Sequence, residues 1–419
     1  MIRIKFTTPA ETAEKLRTSS LSMSPDLSSV PRIIEDVKRR GDKALRYWSK
    51  KLDSVSPQDF RVSDEKIEQA RANLQRESLD ALLTSAKTIR KCAEEIMHNI
   101  RETSFSLDGL DVFVDFSPVE SVLCYAPGGN FSLPSSLLMS AVTAQVAGVK
   151  NIYASSPNPS EALLAAASIA GVKNLYRLGG AQALAAFAFS TESIPKVDMI
   201  VGAGGAYVTE AKRLLFGQVG IDLIAGPTEL LVIADRSGNA RIIALDLLSQ
   251  AEHSHDSFSA FVSPEPGLLS AVRREIAALL DTAKIPRWLS EKAKKIPAVC
   301  TSLEQAVELA NALAPEHIQL MLKRPEKFAK RLTHYGALFV GRENGTVFGD
   351  YCAGTNHILP TSSAARFSSA LSPLTFLRLR YRTIQKKTIS PKLIQCASKL
   401  AETEGLKFHS LAASSRFRI

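Results

Sequence analysis

The segment from Leu248 to His253 carries two side chains that can bind one cation. If the segment is helical, Gln250 and His253 lie three positions apart and share a face. An imidazole nitrogen and an amide oxygen on one face can both reach the same ion. In isolation such a pair is usually a coincidence of a helix surface, so it indicates a metal site only if further ligands join it.

A second segment, Ala314-Pro315-Glu316-His317, offers an acid–base pair. Pro315 breaks the preceding helix, which places Glu316 and His317 on a turn that enters the next strand, where active-site residues often lie. Histidine titrates near neutral pH and can take a proton from an alcohol, while a neighbouring carboxylate can activate water. The simpler interpretation is an exposed charged turn.

Two segments nearer the C-terminus could complete a site. Asp350 follows a glycine and can supply a hard oxygen ligand to Zn²⁺. His357 is either a donor that supports such a ligand or a histidine of an ordinary turn, and the second interpretation is preferred. Gly405 is typical of a helix end, which would leave Glu404 and His409 on an ordered tail. A histidine this near a terminus commonly has no role.

The elements that must position these residues follow an α/β pattern. From about residue 119 to 235, short apolar runs alternate with helix-forming stretches, which predicts βαβ units and a parallel sheet covered on both faces. Glycine-rich turns follow several runs, and ligands of such sheets bind at the carboxyl ends of the strands. The predicted strands are Ser121 to Tyr125, Asn151 to Ser155, Leu175 to Leu178, Met199 to Val201 and Leu230 to Ala234.

A second alternation of strands and helices runs from Ser257 to Val340, so two α/β halves would frame one cleft. Residues from about Met23 to Asn99 show the apolar stripe of helices. Beyond Pro373, a basic segment is expected to form helices with little core of their own, as an arm that docks elsewhere.

Composition is that of a folded globular protein, with 45% hydrophobic and 22% charged residues. The longest apolar stretches, such as Ala162 to Val172, are too short to cross a bilayer, and the first residues lack the apolar core of a signal peptide. The five cysteines lie far apart without a CxxC pair, so we expect buried thiols in a reducing compartment. A cytoplasmic enzyme is the simplest expectation.

The net charge of +10 is concentrated near the C-terminus, where ten lysines and arginines face two glutamates from Leu371 onward. A basic tail can bind nucleic acid or pack on an acidic partner subunit. Because no aromatic-interleaved RNA motif or zinc finger accompanies it, a nucleic-acid partner is disfavoured.

Together, the motifs of this chain resemble the histidinol dehydrogenase family over essentially its whole length. They occur in the family's order and at near-family spacing. The matching segments are Tyr125-Ala126-Pro127-Gly128-Gly129, Gly179-Gly180-Ala181-Gln182-Ala183, Val219-Gly220-Ile221-Asp222, Gly226-Pro227-Thr228-Glu229, Gln250-Ala251-Glu252-His253, Ala314-Pro315-Glu316-His317, Gly349-Asp350-Tyr351, Asn356-His357-Ile358-Leu359-Pro360-Thr361, and Glu404-Gly405 with His409.

The resemblance implies a role for individual residues. The family's zinc ligands match Gln250, His253, Asp350 and His409, and its catalytic acid–base pair matches Glu316 and His317. Its substrate contacts match Thr228, Gln250, His253, His317, Asp350, Glu404 and His409. Positions that touch NAD match Tyr125 and Gln182, and a third falls on Gly205, where the family has Asn.

The resemblance also implies the reaction. The family oxidises L-histidinol to L-histidine through bound histidinal, with two NAD⁺ and one zinc ion per site, in the final steps of histidine biosynthesis. Zinc would act mainly as a template for the substrate. Glu404 and His409 would come from the second subunit of a homodimer, and no membrane partner is implied.

The expected fold is α/β, with two Rossmann-like α/β domains whose parallel-rich sheets frame a cleft, and small helical N- and C-terminal arms. The first domain would be discontinuous. The predicted ranges are 22–124 with 230–371 for the first domain, 125–229 for the NAD-binding-like second domain, 1–21 with 372–395 for a small arm, and 396–419 for a tail that reaches the partner subunit's site.

Two departures from the family pattern keep alternatives open. Gly202-Ala203-Gly204-Gly205 stands where the family has Gly-Pro-Gly-Asn, and Gly345-Thr346-Val347-Phe348 lacks the family's Pro-Glu before Gly-Asp-Tyr. One alternative is a paralogous NAD-dependent zinc dehydrogenase of another small polar alcohol. Another is a non-redox role, as a metal-binding module or a nucleic-acid binder that uses the basic tail.

Overall fold

The computed structural model describes residues 1–19, 25–53, 59–128 and 132–418. The predicted start of the helical region at Met23, the domain boundary at 21/22 and Gly129 of the first family motif lie outside these ranges. Within them, the chain forms two parallel sheets covered by helices and one small antiparallel sheet.

The larger sheet has six parallel strands in the order β1-β11-β10-β9-β12-β13. Its central strands are buried along their whole length and largely apolar, as expected where helices cover both faces. The strands are β1 Ile2–Ile4, β9 Glu229–Ala234, β10 Phe258–Ser263, β11 Pro297–Cys300, β12 His317–Met321 and β13 Ala337–Val340.

Seven helices accompany this sheet among the described residues. Side-chain caps begin three of them, since Thr8, Asn239 and Ser302 accept backbone N–H groups from the first turns of α1, α10 and α13. The helices are α1 Pro9–Thr18, α10 Ala240–Glu252, α11 Pro266–Thr282, α12 Arg287–Ala293, α13 Leu303–Leu313, α14 Glu326–Ala329 and α15 Thr346–Tyr351.

The second sheet has five parallel strands in the order β6-β5-β4-β7-β8. Its strands are β4 Ser121–Tyr125, β5 Asn151–Ser155, β6 Asn174–Tyr176, β7 Met199–Val201 and β8 Gly220–Ile221. The helices between them are α6 Pro134–Val146, α7 Glu161–Ile169, α8 Gly180–Phe189 and α9 Ala206–Leu215. The predicted pattern of alternating strands and helices is therefore confirmed.

The N-terminal helices pack on the five-stranded sheet. Val30, Ile33 and Trp48 share a core with Leu123 and Phe187, and α4 and α5 pack against α7 and α6. The predicted ranges grouped residues 22–124 with 230–371 instead. An amphipathic stripe reveals which face of a helix is buried but not which sheet buries it. The helices are α2 Ser29–Arg40, α3 Asp42–Trp48, α4 Asp64–Asn73 and α5 Arg76–His98.

The two ends of the chain differ from the helical arms that the sequence suggested. The first residues form β1, which pairs with β11 at the edge of the six-stranded sheet. Near the other end, β14 Leu377–Gln385 pairs with β3 Leu110–Pro118, which pairs with β2 Thr103–Leu107, all antiparallel. The α-helices there are α16 Pro391–Thr403 and α17 Lys407–Ser414.

Cysteine burial also differs from the expectation. Cys124 is buried, but Cys92 and Cys300 are half-buried, and Cys352 and Cys396 are exposed. None of the helices in the described ranges combines the length and the apolar character that crossing a bilayer requires.

Candidate active site

The site lies where the two parallel sheets face each other across a cavity of about 680 Å³. The five-stranded sheet presents its carboxyl edge, with Tyr125 at the end of β4 and Gly205 in the turn after β7. The six-stranded sheet presents its amino edge, with Thr228 just before β9. Ligand-binding turns at carboxyl ends were expected, but the acid–base pair lies at the amino ends of its strands.

The turn that carries Glu316 and His317 forms as the sequence predicts. Helix α13 ends at Leu313, and Ala314 adopts a left-handed conformation with φ of 45°. Pro315 cannot continue a helix. His317 is the first residue of β12, and its backbone lies opposite Leu230 of β9. Both side chains are buried, which rules out the interpretation as an exposed charged turn.

Glu316 is held by two hydrogen bonds to one carboxylate oxygen. The Thr228 hydroxyl donates to Oε2, and the backbone N–H of Glu229 donates to the same atom over 2.8 Å. Burial raises the pKa of Glu316 to about 8, although both donors oppose this shift. A carboxyl group with a pKa near neutrality can both release and accept a proton in the working pH range.

The ring of His317 has a defined orientation. Its Nδ1 lies 3.0 Å from the carbonyl oxygen of Glu229, which can only accept, so Nδ1 carries the proton. Its Nε2 lies 3.8 Å from a carboxylate oxygen of Asp350. Burial lowers the pKa of His317, so the ring is neutral near pH 7 and Nε2 is free to accept a proton.

Gln250 and Thr228 connect this pair to helix α10. The amide nitrogen of Gln250 donates to the Thr228 hydroxyl over 2.6 Å, and that hydroxyl donates onward to Glu316. The chain of donors fixes which end of the amide faces Thr228, and so leaves the Gln250 carbonyl oxygen as an acceptor for another group. Gln250, on the predicted face of α10, therefore lies beside the acid–base pair.

Asp350 lies on the short helix α15. Burial raises the pKa of its carboxyl group to about 6. Within the described chain no hydrogen-bond donor reaches its carboxylate oxygens; only His317 is close. A largely buried carboxylate without donors is a group that a cation would stabilise.

His253 lines the cavity at the end of α10. Partial burial is the main cause that lowers its pKa, and His317 and Lys292 add to this shift, so the ring is neutral as a metal ligand must be. Gln250, His253 and Asp350 thus fit a divalent cation in donor chemistry. In the part of the chain that the structure describes, however, no group of three or more His, Cys, Asp or Glu side chains forms a complete metal site.

His357 is more than a histidine of an ordinary turn, because both of its ring nitrogens have partners. Its Nδ1 donates to the backbone carbonyl of Asp350 over 2.8 Å, and its Nε2 lies 3.0 Å from the Ser136 hydroxyl. The preferred interpretation was therefore wrong, because His357 supports the backbone of Asp350 from behind.

Of the three predicted cofactor residues, Tyr125 and Gly205 lie at the other wall of the cavity and Gln182 lies behind it. Tyr125 and Gly205 line it, and the Tyr125 hydroxyl accepts the backbone N–H of Gly180 over 3.1 Å. Gln182 is fully buried and donates to Asp53, whose carboxylate does line the cavity. The other amide atom of Gln182, Oε1, is buried and has no hydrogen-bond partner among the described residues.

Glu404 and His409 do not join the site within one chain. Both are exposed, and their helices α16 and α17 pack mainly against each other. Among the described residues, neither side chain forms a hydrogen bond or ion pair with the groups around Glu316 and His317. The expectation that a second subunit supplies them stays a prediction.

Sequence reasoning missed three residues at this site. Glu229 contacts both members of the acid–base pair, Arg17 forms an ion pair with Glu229, and Asp53 lines the cavity. Glu229 stands in a family motif, Gly226-Pro227-Thr228-Glu229, next to a predicted substrate contact, and that was the available signal. No signal existed for Arg17, because it lies 212 positions away from Glu229.

Fold and site together define an α/β enzyme with an acid–base pair between two parallel sheets. The histidinol dehydrogenase family model matches residues 16–417. Histidinol dehydrogenase of Methanocaldococcus jannaschii is 35% identical to this chain, and the match covers 99% of this chain and 98% of that protein. Histidinol dehydrogenase of Gluconobacter oxydans is 40% identical, and the match covers 92% of this chain and 91% of that protein.

A crystal structure of histidinol dehydrogenase from Elizabethkingia anophelis has a TM-score of 0.92 and 32% identity, covering 100% of this chain and 98% of its own. The chain therefore belongs to the histidinol dehydrogenase family and is an oxidoreductase. The predicted family and the α/β fold class are confirmed.

Proposed function

We propose that this protein is a zinc-dependent histidinol dehydrogenase that oxidises L-histidinol to L-histidine with two NAD⁺. The observation that carries the proposal is the buried Glu316–His317 pair, connected through Thr228 to Gln250, at a cavity whose opposite wall is formed by Tyr125 and Gly205. Membership of the family supplies the substrate class.

His317 is the base for the alcohol. Because Nδ1 is held by the Glu229 carbonyl, the free lone pair of Nε2 faces the side of Asp350 and can take the hydroxyl proton. NAD⁺, when bound along the wall with Tyr125, supplies the hydride acceptor. The cavity wall then determines which substrate carbon lies beside the acceptor.

Glu316 serves the second oxidation. Its raised pKa makes it a stronger base than an exposed glutamate, so it can take a proton from the water that attacks the aldehyde. His317, once it has released the first proton to solvent, accepts the hydroxyl proton of the hydrated aldehyde as the second hydride leaves for the second NAD⁺. Thr228 keeps the carboxylate in place through both steps.

Gln250, His253 and Asp350 would hold the zinc ion, with His409 of a second copy as the fourth ligand. Zinc, when bound, supplies a fixed positive charge that orients the polar end of the substrate. Two observations support this assignment. No hydrogen-bond donor of the described chain reaches the buried carboxylate of Asp350, and the carbonyl oxygen of Gln250 faces away from Thr228.

The proposal includes a homodimer in the cytoplasm. Each site would combine the cleft of one copy with Glu404 and His409 on residues 396–419 of the other, so that the tail closes the site and retains the aldehyde. The exposure of both residues on a helical segment that has little core of its own supports a partner contact.

Steady-state NADH formation with L-histidinol tests the proposal. We expect two NADH for each L-histidine, about one zinc ion per subunit, loss of activity on chelation and recovery when zinc is restored. Full activity in protein shown to be free of metal would contradict the zinc assignment. Absence of turnover with L-histidinol would contradict the substrate.

A second candidate is a dehydrogenase of another small polar alcohol. Gly205 favours it, because the space where the family's Asn would stand is empty within 4 Å. Turnover of another amino alcohol that exceeds turnover of L-histidinol would support this candidate.

A further inference from the structure

Glu229 lies between the two members of the acid–base pair and contacts both. Its carboxylate accepts the backbone N–H of Glu316 over 3.3 Å, while its own backbone N–H donates to the Glu316 carboxylate over 2.8 Å. Its carbonyl oxygen accepts the Nδ1 proton of His317 over 3.0 Å. One residue therefore fixes the direction of both side chains.

The Glu229 carboxylate is itself buried and depends on Arg17. Its side chain is only 7% exposed, and the guanidinium of Arg17 lies 3.1 Å from Oε1. Burial raises the pKa of Glu229 to about 7, whereas Arg17 and the backbone N–H groups of Glu316 and Ser362 oppose this shift. Without the cation, the carboxylate would be a buried charge with neutral donors alone.

Arg17 also holds the turn that leads into Glu316. From the end of α1 it donates to the carbonyl of Leu313, the last residue of α13, and to the Ser363 hydroxyl. The next residue, Ala314, has a positive φ, a conformation that a residue with a Cβ adopts only when its surroundings hold it there. One guanidinium thus joins the strained turn to Glu229.

We propose that Arg17 and Glu229 form a positioning pair that sets the orientation of Glu316 and His317. Neither residue touches the substrate in this assignment. The inference rests on the proposed function. The pair should therefore affect turnover and leave substrate affinity unchanged.

The Glu229→Gln variant tests the carboxylate. Glutamine keeps the shape of the side chain, but one of the two oxygens becomes an NH₂ group. Because an NH₂ group cannot accept a hydrogen bond, the side chain loses its contact with either Arg17 or the backbone N–H of Glu316. We expect kcat with L-histidinol to fall about tenfold to a hundredfold, as a small misplacement of catalytic groups does, with KM for NAD⁺ and for L-histidinol within about twofold of the wild type.

Arg17 variants test the cation with a matched control. Arg17→Met should lower kcat as Glu229→Gln does, and Arg17→Lys, which keeps a charge beside Glu229, should recover part of it. Arg366 caps the same end of α13, through the carbonyls of Asn311 and Ala312, and among the described residues it forms no hydrogen bond or ion pair with Glu229. Arg366→Met should leave kcat close to that of the wild type.

The outcomes separate this inference from the proposed function. A wild-type protein without turnover of L-histidinol would contradict the function itself. An active wild type with unchanged kcat in Glu229→Gln and Arg17→Met would overturn the positioning pair, as would an equal loss in Arg366→Met or a loss that appears only in KM. If Glu229→Gln does not fold, the Arg17 and Arg366 variants decide by the same criteria.

Discussion

At the scale of single residues, His317 carries the most direct prediction. His317→Asn should lower kcat by about a hundredfold or more, because an amide cannot accept the proton that Nε2 accepts. Its NH₂ group can still donate to the Glu229 carbonyl, so the fold should persist. Steady-state kinetics and circular dichroism of the variant measure both effects.

His98, exposed at the end of α5, provides the control for His317. His98→Asn makes the same chemical change away from the cavity and should retain normal kcat. Near-normal turnover in His317→Asn would remove this histidine from its role as base.

Gly205 carries the second prediction. It is the N-cap of α9 with φ of −69°, and a Cβ there would meet nothing within 4 Å, so asparagine fits without strain. Asparagine would cap the helix and add a polar group to the cofactor wall. We expect Gly205→Asn to lower KM for NAD⁺ severalfold and to raise the free energy of unfolding by a few tenths of a kcal/mol.

Gly267 is the matched position for this change, because its Cβ would also meet nothing and it lies on α11, away from the cavity. Gly267→Asn should leave KM for NAD⁺ unchanged. An unchanged or raised KM in Gly205→Asn would show that the missing side chain does not limit cofactor binding.

How much of the site the sequence could predict depends on how far apart the contacting residues lie along the chain. Pro315 acts on its own neighbours, so the turn that presents Glu316 and His317 followed from local chemistry. The contact between Arg17 and Glu229 joins two elements 212 positions apart, and no local pattern encodes it. His357 was misjudged for the same reason, because its partners Ser136 and Asp350 are assembled by the fold.

At the scale of elements, continuous apolar runs identified the buried parallel strands, and β4, β5 and β7 match the predicted bounds. The strand β14 was missed although its signal was present. Its sequence from Leu377 to Thr383 alternates apolar or neutral residues with arginines, the period of two that predicts a strand. The high positive charge of this segment favoured the prediction of a docking arm instead.

Helix α9 and the turn after β7 carry an element-scale prediction. Lys212 and Asp222 form a buried ion pair, and together they bond both the carbonyl and the N–H of Gly202. Gly202 begins the turn that lines the cofactor wall. Lys212→Met leaves the Asp222 charge buried and unpaired, which should lower the free energy of unfolding by about 3–5 kcal/mol and raise KM for NAD⁺.

Urea unfolding of four variants, Lys212→Met, Asp222→Asn, their combination and Arg213→Met, checks this prediction. The double variant Lys212→Met with Asp222→Asn removes the stranded charge, so it should lose less than the sum of the two single losses. Arg213→Met, which breaks an exposed pair with Glu210 on the same helix, should cost at most about 1 kcal/mol. Strictly additive losses would show that the buried pair does not act as a unit.

At the scale of the whole molecule, the C-terminal segment carries large aromatic side chains that a single chain leaves uncovered. Tyr381 of β14 is 74% exposed and Phe408 of α17 is 83% exposed, whereas aromatic side chains of this size are usually covered. Glu404 and His409 lie on the same segment, away from the groups they were predicted to join. Sequence patterns describe one chain, so they cannot show which surface of a second copy covers these residues.

Complementation between inactive variants tests the shared site. His317→Asn damages the cleft of its own chain, and His409→Ala damages the tail. If the tail of each copy serves its partner, a heterodimer of the two variants has one intact site, and a random mixture should regain about a quarter of wild-type activity. Refolding the two variants together and measuring NADH formation gives the answer.

The same mixture gives an equally definite result if the tail serves its own chain. If His409 served its own chain, every site in the mixture would lack either His317 or His409, and no activity would return. A mixture of His317→Asn with Glu316→Gln is the control, because both changes lie in the cleft and no pairing of copies restores an intact site. Recovery in the first mixture and not in the second requires that the two halves of one site come from different chains.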